Sequence, residues 1–173
     1  MQNSKRASLP RVSNKVPAES ILSTFRDASF MTSYTVRQVS WQEAIEDLRA
    51  IRFTVFVEEQ HVPLAEEWDG RDDTALHVLA LSADHQPLGT ARLLDNGQIG
   101  RMAVLREHRR LGIGSALLRE LLHIAATNNM QHLFLNAQID AVGFYQRHGF
   151  IEQGATFMDA GIVHRKMVLA AAK

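Results

Sequence analysis

Leu105-Arg106-Glu107-His108-Arg109-Arg110-Leu111-Gly112-Ile113-Gly114-Ser115 follows an apolar, strand-like stretch and opens a long amphipathic helix. A glycine-containing loop at a helix N-terminus leaves backbone N–H groups without partners, and the helix dipole adds partial positive charge there. Together they suit an anion, above all phosphate. Gly112 and Gly114 lack Cβ atoms, so a phosphate can come close to the main chain, and Arg109 and Arg110 add guanidinium groups able to fork onto its oxygens. Two common phosphate loops do not fit. The chain has no G-x-x-x-x-G-K-[ST], and a dinucleotide fingerprint would need glycine where Leu117 stands. The loop alone also fits a second reading, in which the glycines serve tight packing and the arginines solubility.

On its N-terminal side, residues 98–104 read as a strand paired back through Asp95-Asn96-Gly97 to a strand at 88–94, an antiparallel hairpin. Residues 75–81 form a nearly continuous apolar run, a buried strand. Tyr34 to Val39 alternates as a strand, and Ser40-Trp41-Gln42-Glu43 is a capping box opening a helix with Ile45, Leu48, Ile51 and Val55 on one face. Pro63 and Asp69-Gly70 mark a long loop. On the C-terminal side, Ile113, Leu117, Leu121 and Ile124 share a helix face that ends at Asn128-Asn129. A strand at 133–137, a short helix at 141–148 with Gly149 as its cap, and strands at 151–157 and 164–169 complete the chain. This order predicts a mixed α/β, or α+β, domain with a sheet that is not purely parallel.

The 173 residues suit one domain, and 46% apolar content suffices for a core. Nineteen basic against nineteen acidic side chains give no whole-surface attraction to nucleic acid or an anionic membrane, so neither is expected as a partner. The absence of cysteine excludes disulfides, thiolate metal sites and a cysteine nucleophile. It fits a reducing, cytoplasmic setting. The eight histidines show no i, i+4 pair, so no metal is expected. No apolar run approaches the roughly 18–20 residues that span a bilayer. Residues 1–30 mix serines with Lys5, Arg6, Arg11 and Lys15 and are broken by Pro10 and Pro17. They read as a poorly ordered or vector-derived extension, with an organelle transit peptide as the weaker alternative. Met31 is a candidate natural start, and 31–173 the folded domain.

Arg109-Arg110-Leu111-Gly112-Ile113-Gly114 resembles the pyrophosphate-binding signature [RQ]-x-x-G-x-[GA] of the GCN5-related N-acetyltransferases. A second signature, A-x-x-F-Y-x-x-x-G-F, appears about 30 residues later at Ala141 to Phe150, in the family's order. The resemblance covers roughly Thr32 to Leu169. Residues 55–63, with Glu67, Asp69 and His77, look like a small bacterial branch of the family whose substrates are mostly unassigned. The resemblance implies a central mixed, mostly antiparallel sheet flanked by helices, with one splayed strand pair. It implies acetyl-CoA as co-substrate, its diphosphate on the backbone amides from Arg109 to Ser115. The pantetheine arm would lie along the main chain of Met102, Ala103 and Val104, with the Val104 N–H near the thioester carbonyl. Members often dimerise, so a homodimer falls within the expectation, although no pattern here marks a dimer surface.

The implied reaction is acetyl transfer to a primary amine, on a small molecule or a peptide, by direct attack in a ternary complex. Tyr145 matches the family's general acid, since a phenol is protonated at neutral pH and can donate; the other reading is a half-buried aromatic that packs its helix. Glu67 is the preferred base among Glu58, Glu59, Glu67 and Asp69, any of which can also be a solvated surface charge. His77 is more simply a hydrogen-bonded core residue, and His164 lies before the last strand. Asn136 could bind the pantetheine arm or an ordered water, or satisfy the splayed strand. A non-catalytic acyl-CoA-binding sensor of the same fold is the main alternative, and an unrelated phosphate-binding protein the third.

Overall fold

The apolar run that ends at Leu81 is covered on both faces. In the computed structural model, which describes residues 33–170, strand β2 (Leu76–Ser82) sends Val78 and Ala80 into one core and Leu79 and Leu81 into another on the opposite side of the sheet. Side chains alternate along a strand, so a strand buried on both faces reads as a continuous apolar stretch.

The elements run β1 (Tyr34–Val39), α1 (Trp41–Arg52), α2 (Leu64–Glu67), β2, β3 (Pro87–Leu93), β4 (Gln98–Val104), α3 (Ile113–Thr127), β5 (Phe134–Gln138), α4 (Val142–Gln146), β6 (Phe150–Asp159) and β7 (Ile162–Leu169). They build a seven-stranded sheet in the order β1-β2-β3-β4-β5-β7-β6. Every neighbouring pair is antiparallel except β4 and β5, which are parallel and joined through α3. The sheet is thus mixed and mostly antiparallel, as the resemblance implied.

Helix α3 covers one face, packing on β1, β2, β3 and β4, with Ile113, Leu117, Leu118 and Leu121 fully buried. Burial of each such side chain contributes about 1.5–3 kcal/mol as an upper estimate. Helix α1 covers the other face through Leu48 and Ile51. Its start is the expected capping box: the Glu43 N–H donates to Ser40 Oγ at 3.2 Å and the Ser40 N–H to Glu43 Oε2 at 3.3 Å.

The expected first helix does not continue unchanged to Val55. After Arg52 it widens into a π-helical turn, Phe53–Glu59, which carries Val55 into the α1 core. The predicted long loop contains α2, begun by Pro63 and only four residues long. Strand β6 is longer than the 151–157 expected, and β7 begins two residues before His164. The expectations for residues 1–30 and for Met31 lie outside the described residues.

The β3–β4 hairpin also departs in detail. Only Gly97 takes a positive φ, 84°, while Asn96 caps the turn by accepting the Gln98 N–H at 3.1 Å. Gly97 N–H donates to the Leu94 carbonyl at 3.0 Å, so the turn closes before a left-handed glycine. A Cβ on Gly97 would sit 1.8 Å from the His132 carbonyl oxygen. Gly97→Ala is therefore expected to cost more than about 2 kcal/mol of unfolding free energy, since the clash adds to a left-handed penalty of roughly 1 kcal/mol. Gly70→Ala, at φ 71° in open space, isolates that penalty alone. Urea midpoints check this, and equal losses in the two variants would refute the packing of the 132 carbonyl against the turn.

Candidate active site

The parallel pairing of β4 with β5 lasts for two residue pairs, Gln98 with Phe134 and Ile99 with Leu135. Beyond them the strands part. The cause lies on the other edge of β4: Arg92 pairs with Gly100 but Thr90 with Ala103, so β4 carries one extra residue over this interval. Arg101 holds the bulge at φ 48°, a conformation that a non-glycine residue seldom adopts. A bulge bends its strand and sharpens the twist, which turns the C-terminal half of β4 away from β5.

The resulting cleft has a volume of about 300 Å³. Met102, Asn136, Glu67 and Tyr145 all face it. The Tyr145 hydroxyl, delivered from β5's side by α4, donates to the Met102 sulfur on β4 at 3.6 Å, so it bridges the two diverging strands. Burial pushes its phenol up to about 12, which keeps it protonated across the neutral range. Ala103 turns its side chain into the α1 core, so only its main chain faces the divergence. The mouth is crossed by a hydrogen bond from Gln138 Nε2, at the end of β5, to Gln60 Oε1 at 2.8 Å.

At the C-terminal end of β4 stands the glycine turn. Gly112 is the N-cap of α3 at φ 81°, no side chain caps the helix, and its first internal bond runs from the Ala116 N–H to the Gly112 carbonyl at 3.0 Å. The amides of Ile113, Gly114 and Ser115 come before that bond and have no helical partner. The Leu111 and Ile113 side chains pack into the α3 core and anchor the turn. A Cβ on Gly112 would lie 3.3 Å from the Tyr34 hydroxyl. This turn therefore fits a diphosphate through its main chain. The arginines divide: Arg110 is exposed at φ 65°, whereas Arg109, half-buried, is held by partners within the protein. Its two Nη atoms bond the Glu59 carboxylate at 2.6 and 2.7 Å, its Nε donates to the Val104 carbonyl at 2.9 Å, and its amide reaches the Arg106 carbonyl at 3.4 Å. Ser115 Oγ contacts His148 Nε2 at 2.9 Å, tying α3 to the segment after α4.

Glu67 belongs to a buried ionic network assembled from residues far apart in the sequence. Arg52 is 1% exposed, and its Nε bonds Glu67 Oε1 at 2.5 Å while Nη1 bonds Asp72 Oδ1 at 2.7 Å. Arg92 bonds Asp69 at 2.8 and 2.6 Å and Asp72 at 2.8 Å. Arg101 pairs with Glu67 Oε2 at 3.0 Å and donates to the Glu66 carbonyl at 2.8 Å. Burial raises the Glu67 carboxyl above its ordinary range, with Arg52 and then Arg101 pulling it back by less. Burial acts the same way on Asp69 and Asp72, but hydrogen bonds and charge attraction from Arg92, joined at Asp72 by Arg52, together outweigh it and hold both low. His77 is a core residue. Its Nε2–H donates to the Asp72 carbonyl at 2.9 Å, its ring lies 5.5 Å from that of Trp41, and burial lowers its pKa. His164 does face the cleft, its Nδ1–H donating to the Ile162 carbonyl at 2.9 Å. One signal of the network was available: an arginine at position 92 inside an apolar strand requires a buried carboxylate partner.

Comparison with known proteins agrees with this geometry. Residues 33–171 match the Acetyltransferase (GNAT) domain family. The uncharacterized N-acetyltransferase YjcF of Bacillus subtilis (strain 168) is 35% identical over 131 residues, covering 73% of this chain and 93% of that protein. An acyl-CoA N-acyltransferase from Pseudomonas aeruginosa superposes with a TM-score of 0.69 at 29% identity, over 80% of this chain and 99% of that one. ElaA of Escherichia coli gives a TM-score of 0.71 at 27% identity, over 78% and 99% of the two chains. With its splayed strands, uncapped glycine turn and cleft tyrosine, the chain belongs to the GCN5-related N-acetyltransferases, a family that transfers acyl groups from acyl-CoA.

Proposed function

We propose that this protein transfers an acetyl group from acetyl-CoA to a primary amine, the two substrates bound together. The observation that carries this reading is Tyr145, a protonated phenol placed between the diverging strands and in contact with Met102 of β4. An aligned acid in the gap serves turnover and has no use in a protein that only binds acyl-CoA.

Acetyl-CoA supplies a thioester. The main chain from Arg110 to Ser115 holds the diphosphate, and β4 from Met102 to Val104 takes the pantetheine arm as an added strand, with Asn136 facing it across the gap. Arg109, braced on Glu59, shapes the turn, and Arg110 supplies an exposed positive charge. The amine lone pair attacks the thioester carbon, the N–C bond forms and the C–S bond breaks. The Val104 N–H stabilises the carbonyl oxygen as charge develops on it. Tyr145 gives its proton to the departing sulfur, and Glu67 takes the proton from the amine. An ordinary amine is mostly protonated at neutral pH, so a carboxylate whose pKa is raised by burial is the better base. The products are an N-acetyl amide and the free thiol of CoA.

Tyr145→Phe is expected to lower kcat by about 100-fold or more, with little change in the Kd for acetyl-CoA. Thiol release and calorimetry measure these separately, and equal turnover would remove Tyr145 from the mechanism. Gly112→Asp is expected to weaken CoA binding by roughly tenfold or more, because a carboxylate enters the diphosphate cradle. Gly112→Ala controls for strain at φ 81°, and an aspartate variant that binds as tightly as the alanine one would discredit the cradle. For Glu67→Gln the pH profile decides. With Glu67 present, kcat/KM falls as pH drops through its raised pKa and the base becomes protonated. The variant, checked by its melting temperature for a weakened network, is expected to lose that acid limb; an unchanged limb means that the base lies elsewhere.

A further inference from the structure

We infer that the amine accepted here carries a second positive charge on an aliphatic chain, a diamine or polyamine. This rests on the transfer reading above and names its acceptor. The cleft wall holds three carboxylates, Glu66, Glu67 and Asp159, against one guanidinium, Arg101. Arg101 is engaged through Nε and Nη2: it pairs with Glu67 and Asp69 and donates to the Glu66 and Glu67 carbonyls. Glu67 is engaged in turn by Arg52 and Arg101. Glu66, on α2, and Asp159, at the end of β6, are both exposed. Neither carboxylate makes an ion pair or hydrogen bond among the described residues. Glu66 enters the cleft beside β4 and Asp159 from the hairpin beyond β5, so uncompensated negative charge stands on both sides. The other polar side chains on the wall include the neutral amides of Gln60, Gln98, Asn136 and Gln138.

An open depression adjoins the cleft and shares Gln138 and Ile162 with it. Ile139, Val163 and Asp140 complete its wall. Ile139 and Val163 are each 42% exposed. This gives, in sequence, a transfer point at Tyr145, unpaired carboxylates at its rim, and an apolar shelf ending in another carboxylate. A methylene chain between two ammonium groups matches that order, with its hydrocarbon on the shelf. An amino acid would bring a carboxylate toward Glu66 and Asp159, and the one arginine of the described wall, Arg101, is already paired with Glu67 and Asp69. A monoamine would leave both carboxylates as they are.

The test uses a four-carbon series with acetyl-CoA as donor and thiol release as the readout: putrescine, n-butylamine and gamma-aminobutyrate. Putrescine is expected to exceed n-butylamine in kcat/KM by about tenfold at low salt, with the advantage shrinking as salt screens the contacts. Gamma-aminobutyrate is expected to be the poorest of the three. In E66Q and D159N the putrescine to n-butylamine ratio falls toward one. Equal values for putrescine and n-butylamine, a preference for gamma-aminobutyrate, or a ratio unmoved in both variants would overturn this inference while leaving amine acetylation standing. Bound acetyl-CoA with no thiol release for any of the amines would instead remove the transfer reading, and this inference with it.

Discussion

Arg101 sits at φ 48° in a strand, a backbone state that costs about 1–3 kcal/mol for a residue with a side chain and persists only where surrounding contacts over-determine it. Its own guanidinium makes those contacts, reaching the carbonyls of Glu66 and Glu67 and the carboxylates of Glu67 and Asp69. The extra residue that it adds to β4 is also what ends the pairing with β5 after Ile99. A single strained position therefore opens the cleft and ties down one wall of it. The remaining parts of the site depend on that opening, because Tyr145 reaches Met102 only where the strands have parted.

The segment around α2 has little apolar burial of its own; within that helix only Glu67 is buried. Arg52, Arg92 and Arg101 from α1, β3 and β4 hold it by charge instead. Desolvating three guanidiniums and three carboxylates offsets most of their mutual attraction, so the network need not stabilise the fold more than apolar packing would. What it supplies is position. Removing one partner leaves a buried charge uncompensated at a cost of about 3–5 kcal/mol, which makes displaced arrangements of the segment far less favourable than the native one. Trp68 adds to this, with the guanidiniums of Arg49 and Arg52 at 4.9 and 4.8 Å from its ring.

Most of the fold was legible because its signals are local. The capping box at Ser40, the Leu117 and Leu121 stripe and the Asn96-Gly97 turn act over a few residues, and each appears where the sequence placed it. The glycine turn and the Phe144-Tyr145 helix were legible as motifs in order. The π-helical turn was not, since one extra residue per turn leaves composition and approximate periodicity unchanged. Of the network, only Arg92 inside an apolar strand gave a sign. Arg52 and Glu67 are fifteen residues apart, Arg52 and Asp72 twenty, and a helical arginine next to Ile51 looks like an ordinary surface residue until the fold buries it. Arg109 shows the same limit: its charge pointed to phosphate, and only the tertiary structure reveals Glu59 beside it.

That pairing shows what the π-helical turn contributes. Its last residue, Glu59, receives Arg109 from the glycine turn, and the next one, Gln60, receives Gln138 from the end of β5. Two adjacent residues thus grip the two lips of the divergence, one at the phosphate end of β4 and one at the tip of β5. An α-helical continuation has fixed angular spacing and would carry these side chains past their partners as it lengthened; widening by one residue resets the phase after Arg52, which must itself face the buried network. The turn is therefore the point where three demands meet: Arg52 inward to the carboxylates, Val55 into the α1 core, and Glu59 and Gln60 outward to the lips. A regular helix satisfies the first two, and the π-helical geometry is what lets the same short segment satisfy the third.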